Sequence, residues 1–144
     1  MGKIIAYCRE GCGYSLNTKN ILLELSDEIK RKNNKTLSVL INPIKNEVSD
    51  KNNILNSLGN LIGNHSTFPI IIYESTKGKQ FFIGGNNDFM EIINYVDSIK
   101  EKINFNDLST CMSDKLLLGD NLYDEGKRRL ICNLLMLKNK INLS

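Results

Sequence analysis

The chain has 144 residues, enough for one compact domain and too few for two domains of ordinary size. Its 41% hydrophobic and 24% charged residues are typical of a protein with a packed core. The formal net charge is only +3, and the cationic residues are interspersed with acidic ones, so no nucleic-acid-binding face is expected. No stretch is apolar for long enough to form an export signal or a membrane span, so we expect a cytoplasmic protein without a membrane partner.

The first sixty residues alternate between strand and helix patterns. The apolar run at 4–7 predicts a buried strand, and from Ser15 onward the apolar residues follow helical spacing. Residues 37–41 predict a second strand that ends at Asn42-Pro43. A second helix, capped by Ser49 or Asp50, is expected to end at Gly63. Its apolar face consists of Ile54, Leu55, Leu58, Leu61 and Ile62.

A hairpin and a third helix follow. Pro69 precedes a strand at 70–73, and a turn at 75–78 leads into a fourth strand at 80–83. Asp88 then begins a helix with the apolar face Phe89, Ile92, Ile93, Val96 and Ile99. The two strand–helix units favour parallel pairing of the first two strands, and the hairpin is antiparallel. The predicted fold class is therefore α/β, with a four-stranded mixed sheet flanked by helices.

The last forty residues fall outside this pattern. A final helix is expected to begin near Asn121, and its apolar stripe is Leu130, Leu134, Leu137 and Ile141. We interpret the stripe as a surface that packs on the domain. The sequence thus divides into a domain at 1–102 and a C-terminal helical extension at 103–144.

Cys12 is the candidate nucleophile. It lies between the first strand and the first helix, where unpaired backbone N–H groups and the positive end of the helix dipole favour a thiolate. Arg9 adds a positive charge to the same turn, and the flanking Gly11 and Gly13 permit close approach of a ligand. Taken alone, the pattern fits an activated thiol as well as an inert one at a strand end.

The other three cysteines are assigned no catalytic role. In a reducing compartment, burial, catalysis or metal binding is favoured over structural disulfides, and the cysteine spacing does not fit zinc. Cys8 is expected to end the first strand half-buried, from where it could act as a resolving thiol. Cys132 is expected in the core. Nothing is predicted for Cys111.

Three segments in chain order resemble the glutaredoxin family over about residues 3–102. Residues 12–15, Cys-Gly-Tyr-Ser, stand where the family has its Cys-x-x-Cys or Cys-x-x-Ser active site. Residues 67–69, Thr-Phe-Pro, resemble the family's Thr-Val-Pro or Thr-Phe-Pro element, in which the proline is cis. Residues 82–88 resemble its Gly-Gly-Cys-Asp segment. The resemblance implies a thioredoxin-like fold in which these segments meet.

The resemblance also implies glutathione as co-substrate. Arg9 and Tyr14 would hold one side of the tripeptide, and the backbone at Phe68, beside Thr67 and Pro69, would pair with it as an added strand does. The γ-glutamyl end would bind Gly85, Asn86, Asn87 and Asp88 at the start of the third helix. Since Asn86-Asn87 replace the family's Cys-Asp, only Asp88 remains to neutralise the γ-glutamyl ammonium.

The implied activity is that of a glutathione-dependent thiol–disulfide oxidoreductase. Ser15 replaces the second cysteine, so Cys12 alone would reduce protein–glutathione mixed disulfides, with glutathionylated or disulfide-containing proteins as partners and a monomer as the working unit.

Two alternatives stay open. Cys-Gly-Tyr-Ser also resembles Cys-Gly-Phe-Ser of the family's iron–sulfur branch, in which two Cys12 thiolates and two glutathiones would hold a [2Fe–2S] cluster. That branch has a longer loop before its cysteine and a Trp-Pro element that this chain lacks. The other alternative is a redox-inactive interaction module whose C-terminal extension binds a partner.

Overall fold

The computed structural model describes residues 2–100, 108–113 and 123–138 of the chain. The strands are β1 (Lys3–Arg9), β2 (Ser38–Ile44), β3 (Ile70–Glu74) and β4 (Gln80–Gly84). The helices are α1 (Gly13–Asn33), α2 (Val48–Leu58), α3 (Asn86–Ile99), α4 (Leu108–Met112) and α5 (Glu125–Lys138), and a 3₁₀ turn at Gly59–Leu61 follows α2.

The four strands form one mixed sheet in the order β2-β1-β3-β4. β1 pairs with β2 in parallel and with β3 antiparallel, and β3 and β4 form the antiparallel hairpin. A crossover helix is required between two parallel strands, and α1 supplies it. The predicted pairing is confirmed.

The strands bury side chains on both faces of the sheet, because successive side chains of a strand point to opposite sides. One face packs against α1, α3 and α5, and its largest buried members are Ile4, Leu22, Ile29, Ile71, Phe89, Ile92, Leu130, Ile131 and Leu134. The other face packs against α2 through Ile5, Ile44, Ile62, Phe68, Ile70 and Ile72. Helices therefore cover both sides of the sheet.

β2 runs three residues beyond its predicted end at Ile41 and passes through Pro43. The prediction that Asn42-Pro43 ends the strand is wrong because β2 is an edge strand. The Ile44 carbonyl accepts a hydrogen bond from Glu10 N–H at 2.8 Å, so Ile44 faces the neighbouring chain segment. Peptide groups alternate in direction along a strand, so the Pro43 nitrogen faces outward, where a missing donor costs no ladder bond.

Four helix ends differ from the sequence prediction. α1 begins at Gly13, two residues before Ser15. α2 follows Glu47 as its capping position and ends at Leu58, because Gly59 adopts a φ of 51° and turns the chain before Gly63. α3 begins at Asn86, after Gly85, so Asp88 is the third residue of the helix.

α5 buries the apolar stripe of the C-terminal extension in the domain core. Leu130, Leu134 and Leu137 are buried, which confirms that these three residues form a packing surface. The predicted start near Asn121 and the stripe residue Ile141 lie outside the described residues. The helix begins at Glu125, because the Asp124 carboxylate accepts a hydrogen bond from Lys127 N–H at 2.9 Å and caps it.

Cys111 of α4 and Cys132 of α5 form a disulfide, with their Cα atoms 5.8 Å apart. Both residues are fully buried, so Cys132 does lie in the core as predicted. The expectation that disulfides are disfavoured is wrong for this pair. That expectation rested on the presumed compartment and on sequence spacing, and neither shows that α4 packs against α5.

The strand order, the pairing directions and helices on both faces together are the thioredoxin-like arrangement, so the predicted fold class is confirmed. No helix within the described ranges is long and apolar enough to cross a membrane.

Candidate active site

An open cleft of about 780 Å³ lies at the junction of β1 with α1. All of the site residues predicted from the sequence line it: Arg9, Cys12, Tyr14, Thr67, Phe68, Pro69, Gly85, Asn86, Asn87 and Asp88. Three chain segments far apart in sequence therefore meet around one thiol. The cleft is also lined by residues that the sequence did not predict, namely Val48, Lys51, Asn52, Leu55, His65 and Ser66.

Cys12 immediately precedes the first residue of α1 and has an extended backbone, with φ −98° and ψ 120°. Partial burial raises the pKa of its thiol, but hydrogen bonds from Ser15, Arg9 and Tyr14 outweigh burial, so the pKa is lowered from its usual value. Ser15 contributes through its backbone N–H and its hydroxyl, and Tyr14 through its backbone N–H. These donors stabilise the negative charge of a thiolate.

Ser15 has a positive role that the sequence did not reveal. Its side chain is only 1% exposed, and its hydroxyl oxygen accepts a hydrogen bond from Arg9 N–H at 3.0 Å. The same hydroxyl can donate to the Cys12 sulfur. The residue that stands in place of a second cysteine therefore fixes the turn around the first one.

The peptide bond between Phe68 and Pro69 is cis, as the resemblance implied. The Cys12 thiol lies 3.6 Å from the Phe68 carbonyl oxygen, to which it can donate a hydrogen bond. Thr67 and Pro69 lie beside them in the wall of the cleft.

The opposite wall is the start of α3. Gly84 has a φ of 136°, and a Cβ atom at this position would collide with the Asp88 carboxylate, so only glycine fits. The Asp88 carboxylate accepts a hydrogen bond from Gly85 N–H at 3.2 Å. The Asn86 side-chain oxygen accepts from Asn17 at 2.9 Å and from Thr18 at 2.8 Å. The Asn86 side chain thus joins α1 to α3. Because its oxygen is used in this way, Asn86 presents its backbone to the cleft.

The Asp88 carboxylate has a second partner, from the C-terminal extension. Lys127 Nζ lies 3.2 Å from the other carboxylate oxygen. This contact could not be predicted from the sequence, because it depends on where α5 packs.

His65 also reaches the cleft. Its ring packs on Phe82 with centroids 5.0 Å apart, and its Nε2 lies 3.5 Å from the Thr67 hydroxyl. A Cβ at Gly85 would lie 3.6 Å from the His65 ring, so the histidine lies between the turn at Thr67 and the turn at Gly85. In the sequence, only its position two residues before Thr67 indicates that His65 could line the cleft.

Cys8 lies on the other side of the Cys12 turn, where both cysteines line a second cavity of about 360 Å³. Cys8 is buried, and burial raises the pKa of its thiol to about 11. A thiol with so high a pKa is a poor nucleophile near neutral pH. Across the described ranges, no group of three or more His, Cys, Asp or Glu side chains is placed to hold a metal ion.

A scan of the chain against protein-family models finds no match, and a search of curated proteins finds none either. Among solved structures, the chain is similar to one described as the crystal structure of glutaredoxin 1 from Francisella tularensis complexed with cacodylate. The likeness covers 68% of this chain and 99% of the other, with 19% sequence identity and a TM-score of 0.46. It is a distant likeness.

Proposed function

We propose that the chain is a glutaredoxin-type thiol–disulfide oxidoreductase that uses glutathione and has Cys12 as its one nucleophile. The observation that carries the proposal is the position of Cys12. Its thiol, with a lowered pKa, lies in a cleft that also contains the start of α3. Disulfide exchange with a carboxylate-bearing thiol such as glutathione needs an activated sulfur next to a binding site for anions.

The cleft suits glutathione in size and charge. Its volume of about 780 Å³ is in the range of small-molecule sites. Glutathione carries two carboxylates, and the cleft offers them two cationic side chains, Arg9 and Lys51, in addition to the N-terminus of α3. The Arg9 Nε atom is buried without a hydrogen-bond partner in the described part of the chain, and a carboxylate would satisfy it.

The proposed reaction takes two exchange steps. The Cys12 thiolate attacks the glutathione sulfur of a protein–glutathione disulfide, so that the Cys12–glutathione disulfide forms and the protein thiolate leaves and takes up a proton. The thiolate of a second glutathione then attacks this disulfide, releasing glutathione disulfide and regenerating the Cys12 thiolate. Overall, one protein–glutathione disulfide and one free glutathione become the free protein thiol and one glutathione disulfide. The cleft contributes by holding the glutathionyl group in line with Cys12.

The single-thiol mechanism follows from the neighbours of Cys12. Ser15 cannot displace a bound substrate by thiol exchange, and the high pKa of Cys8 makes it a poor resolving group. Glutathione is therefore obligatory for turnover. The substrates we propose are glutathionylated proteins, and the working unit is a monomer.

The cluster-carrier alternative has less support. A [2Fe–2S] cluster takes four protein or thiol ligands, and the cleft of one chain offers one thiolate, Cys12. The remaining ligands would come from a second chain and from glutathione. No contact among the described residues favours that assembly over simple exchange.

The test is intact mass spectrometry after oxidation with excess glutathione disulfide. We expect one added glutathione, located at Cys12, in the unaltered chain and in Cys8→Ser, and none in Cys12→Ser. Reductase activity with a glutathionylated peptide should be present in the unaltered chain and in Cys8→Ser and absent in Cys12→Ser. A Cys8–Cys12 disulfide, or full activity in Cys12→Ser, would contradict the proposal. A brown, dimeric protein with little reductase activity would instead favour the cluster carrier.

A further inference from the structure

The C-terminal helix reaches the candidate ligand site through one charged contact. Lys127 of α5 forms an ion pair with Asp88 of α3 at 3.2 Å. Asp88 lines the cleft, whereas Lys127 does not. Its side chain is only 23% exposed, so it is held in place more firmly than a lysine on an open surface.

The packing of α5 explains why Lys127 is held there. Asp124 caps the helix through the Lys127 backbone N–H. Gly126, the residue before Lys127, lies so close to β4 that a Cβ would stand 2.6 Å from Phe81 Cβ. The cap orders the first turn of α5, and the close approach at Gly126 sets that turn against the hairpin.

The far end of α5 is anchored as well. The Asn33 side-chain amide donates to the Leu137 carbonyl oxygen at 2.8 Å. Lys138 forms an ion pair with Asp97 of α3 at 2.6 Å. Because α5 is fixed at both ends, Lys127 presents its charge to Asp88 at a set position.

Each carboxylate oxygen of Asp88 already has one partner among the described residues. One carboxylate oxygen accepts from Gly85 N–H, and the other pairs with Lys127. Among the described residues that line the cleft, Asp88 is the only acidic one, and Arg9 and Lys51 supply positive charge. The cleft therefore favours carboxylates, and the Lys127 ammonium offsets the negative charge that Asp88 could offer to a ligand ammonium.

We infer that Lys127 is a positioning residue that sets the ligand specificity of the cleft. By holding Asp88, it makes the site accept acidic thiol peptides through their carboxylates, whether or not they carry an α-ammonium. The inference rests on the proposed function and names the substrate class for it: small anionic thiols, of which glutathione is one and its des-amino analogue is another.

The test compares two ligands that cannot undergo exchange, S-methylglutathione and the S-methyl form of its des-amino analogue, in which a glutaryl group replaces γ-glutamyl. Titration calorimetry gives the Kd of each. For the unaltered chain we expect the two values to agree within about threefold. In Lys127→Gln, the released Asp88 should favour the ammonium-bearing ligand, so that the ratio of Kd values shifts by about two- to fivefold, the range of a partly exposed ion pair.

Two further variants separate specificity from a loss of folding. Lys127→Met keeps the aliphatic length of the side chain and should shift the ratio in the same way as Lys127→Gln. In an Asp88→Asn background, Lys127→Gln should change the ratio no further, because the two residues act through one contact. The matched control is Arg129→Gln, which removes a cation that pairs with Glu125 on the same helix and should leave the ratio unchanged.

The outcomes for the two proposals are distinct. The inference is overturned, and the proposed function stands, if both ligands bind but Lys127→Gln leaves the ratio of their Kd values unchanged. The same conclusion follows if Lys127→Gln shifts this ratio equally with Asp and with Asn at position 88. If the unaltered chain strongly prefers the ammonium-bearing ligand, the inference is likewise overturned. If neither ligand binds to any variant, the proposed function fails, and the inference fails with it.

Discussion

The buried hydroxyl of Ser15 stabilises both the conformation of the Cys12 turn and the negative charge of the Cys12 thiolate. It accepts from Arg9 N–H and donates toward the Cys12 sulfur. Hydrogen bonds to a charged partner are stronger than those between neutral groups. The reactivity of Cys12 is therefore a property of the whole turn and not of the helix terminus alone.

Replacing Ser15 with Ala should raise the pKa of the Cys12 thiol, because one donor to the thiolate is lost. We expect the rate of Cys12 alkylation by iodoacetamide at neutral pH to fall by about tenfold, which corresponds to about 1.4 kcal/mol. The rate measured as a function of pH should shift to higher pH. Tyr14→Phe is the control, because it keeps the backbone N–H at that position and should leave the profile unchanged. An unaltered profile in Ser15→Ala would show that backbone donors and Arg9 suffice.

Cys8 should make the fold less stable in alkaline solution. Its pKa is raised from 9.0 to about 11 in the folded chain, chiefly by burial. Between these values the unfolded chain loses the proton while the folded chain keeps it, so unfolding becomes more favourable as pH rises. Below about pH 9 the effect is absent.

Urea denaturation at pH 8, 9, 10 and 11 measures this effect. The midpoint for the unaltered chain should fall more steeply above pH 9 than the midpoint for Cys8→Ala. Cys12→Ala should not remove the difference, because the pKa of Cys12 is shifted in the opposite direction. Parallel curves for the unaltered chain and Cys8→Ala would contradict the predicted role of Cys8.

The sequence predicted which segments form the site but not the contacts within it. Cys12, residues 67–69 and Asp88 could be found because each is next to a strand or helix end, where local pattern is informative. His65, Lys51 and Lys127 could not, since their part in the site depends on how distant elements pack.

At the scale of the elements, the disulfide between α4 and α5 closes a loop within the C-terminal extension, with a sequence separation of 21 residues. A cross-link restricts the unfolded chain, and for a loop of this length the expected stabilisation is about 3 kcal/mol. α5 carries Lys127 and several core residues, so the bond also supports the position of that helix.

Reduction of this bond should therefore destabilise the chain by about 3 kcal/mol. Chemical denaturation with and without a strong reductant measures the change, which should be absent in a double variant, Cys111→Ala with Cys132→Ala. Cys8→Ser is the control for thiols outside the bond and should keep the response to reductant. If the reductant leaves the midpoint of the unaltered chain in place, the pair does not contribute to stability in solution.

The elements themselves were predicted well where a periodic apolar pattern was long, as in α1 and α3. Their ends were predicted less well, because they depend on single backbone conformations. Gly59 ends α2 four residues before the predicted stop at Gly63, and a sequence pattern does not indicate which of the two glycines adopts the required φ.

At the scale of the whole molecule, the modest net charge of +3 does not indicate where the charged side chains lie. Arg9 and Lys51 line the cleft, and the one acidic residue that the structure describes there, Asp88, is already paired with Lys127. Such a concentration of one sign in a cleft raises the local concentration of anions.

Anionic reagents should therefore reach Cys12 faster than neutral ones of the same size. We expect the ratio of alkylation rates for iodoacetate and iodoacetamide, corrected for their intrinsic reactivity, to fall by about two- to fivefold between 10 mM and 500 mM salt, because salt screens the cleft. Lys51→Gln should weaken the salt dependence, whereas Lys77→Gln, outside the cleft, should not. A ratio independent of salt would contradict a role for cleft charge.

The outward-facing nitrogen of Pro43 bears on how copies of this chain behave when crowded together. The free side of β2 is an exposed edge of the sheet, and such an edge can recruit a strand from another molecule by backbone pairing. At Pro43 the outer edge has no N–H to offer, so an incoming strand would lose a hydrogen bond in the middle of its contact. The same residue that leaves the native ladder intact thus protects the protein against edge-to-edge aggregation.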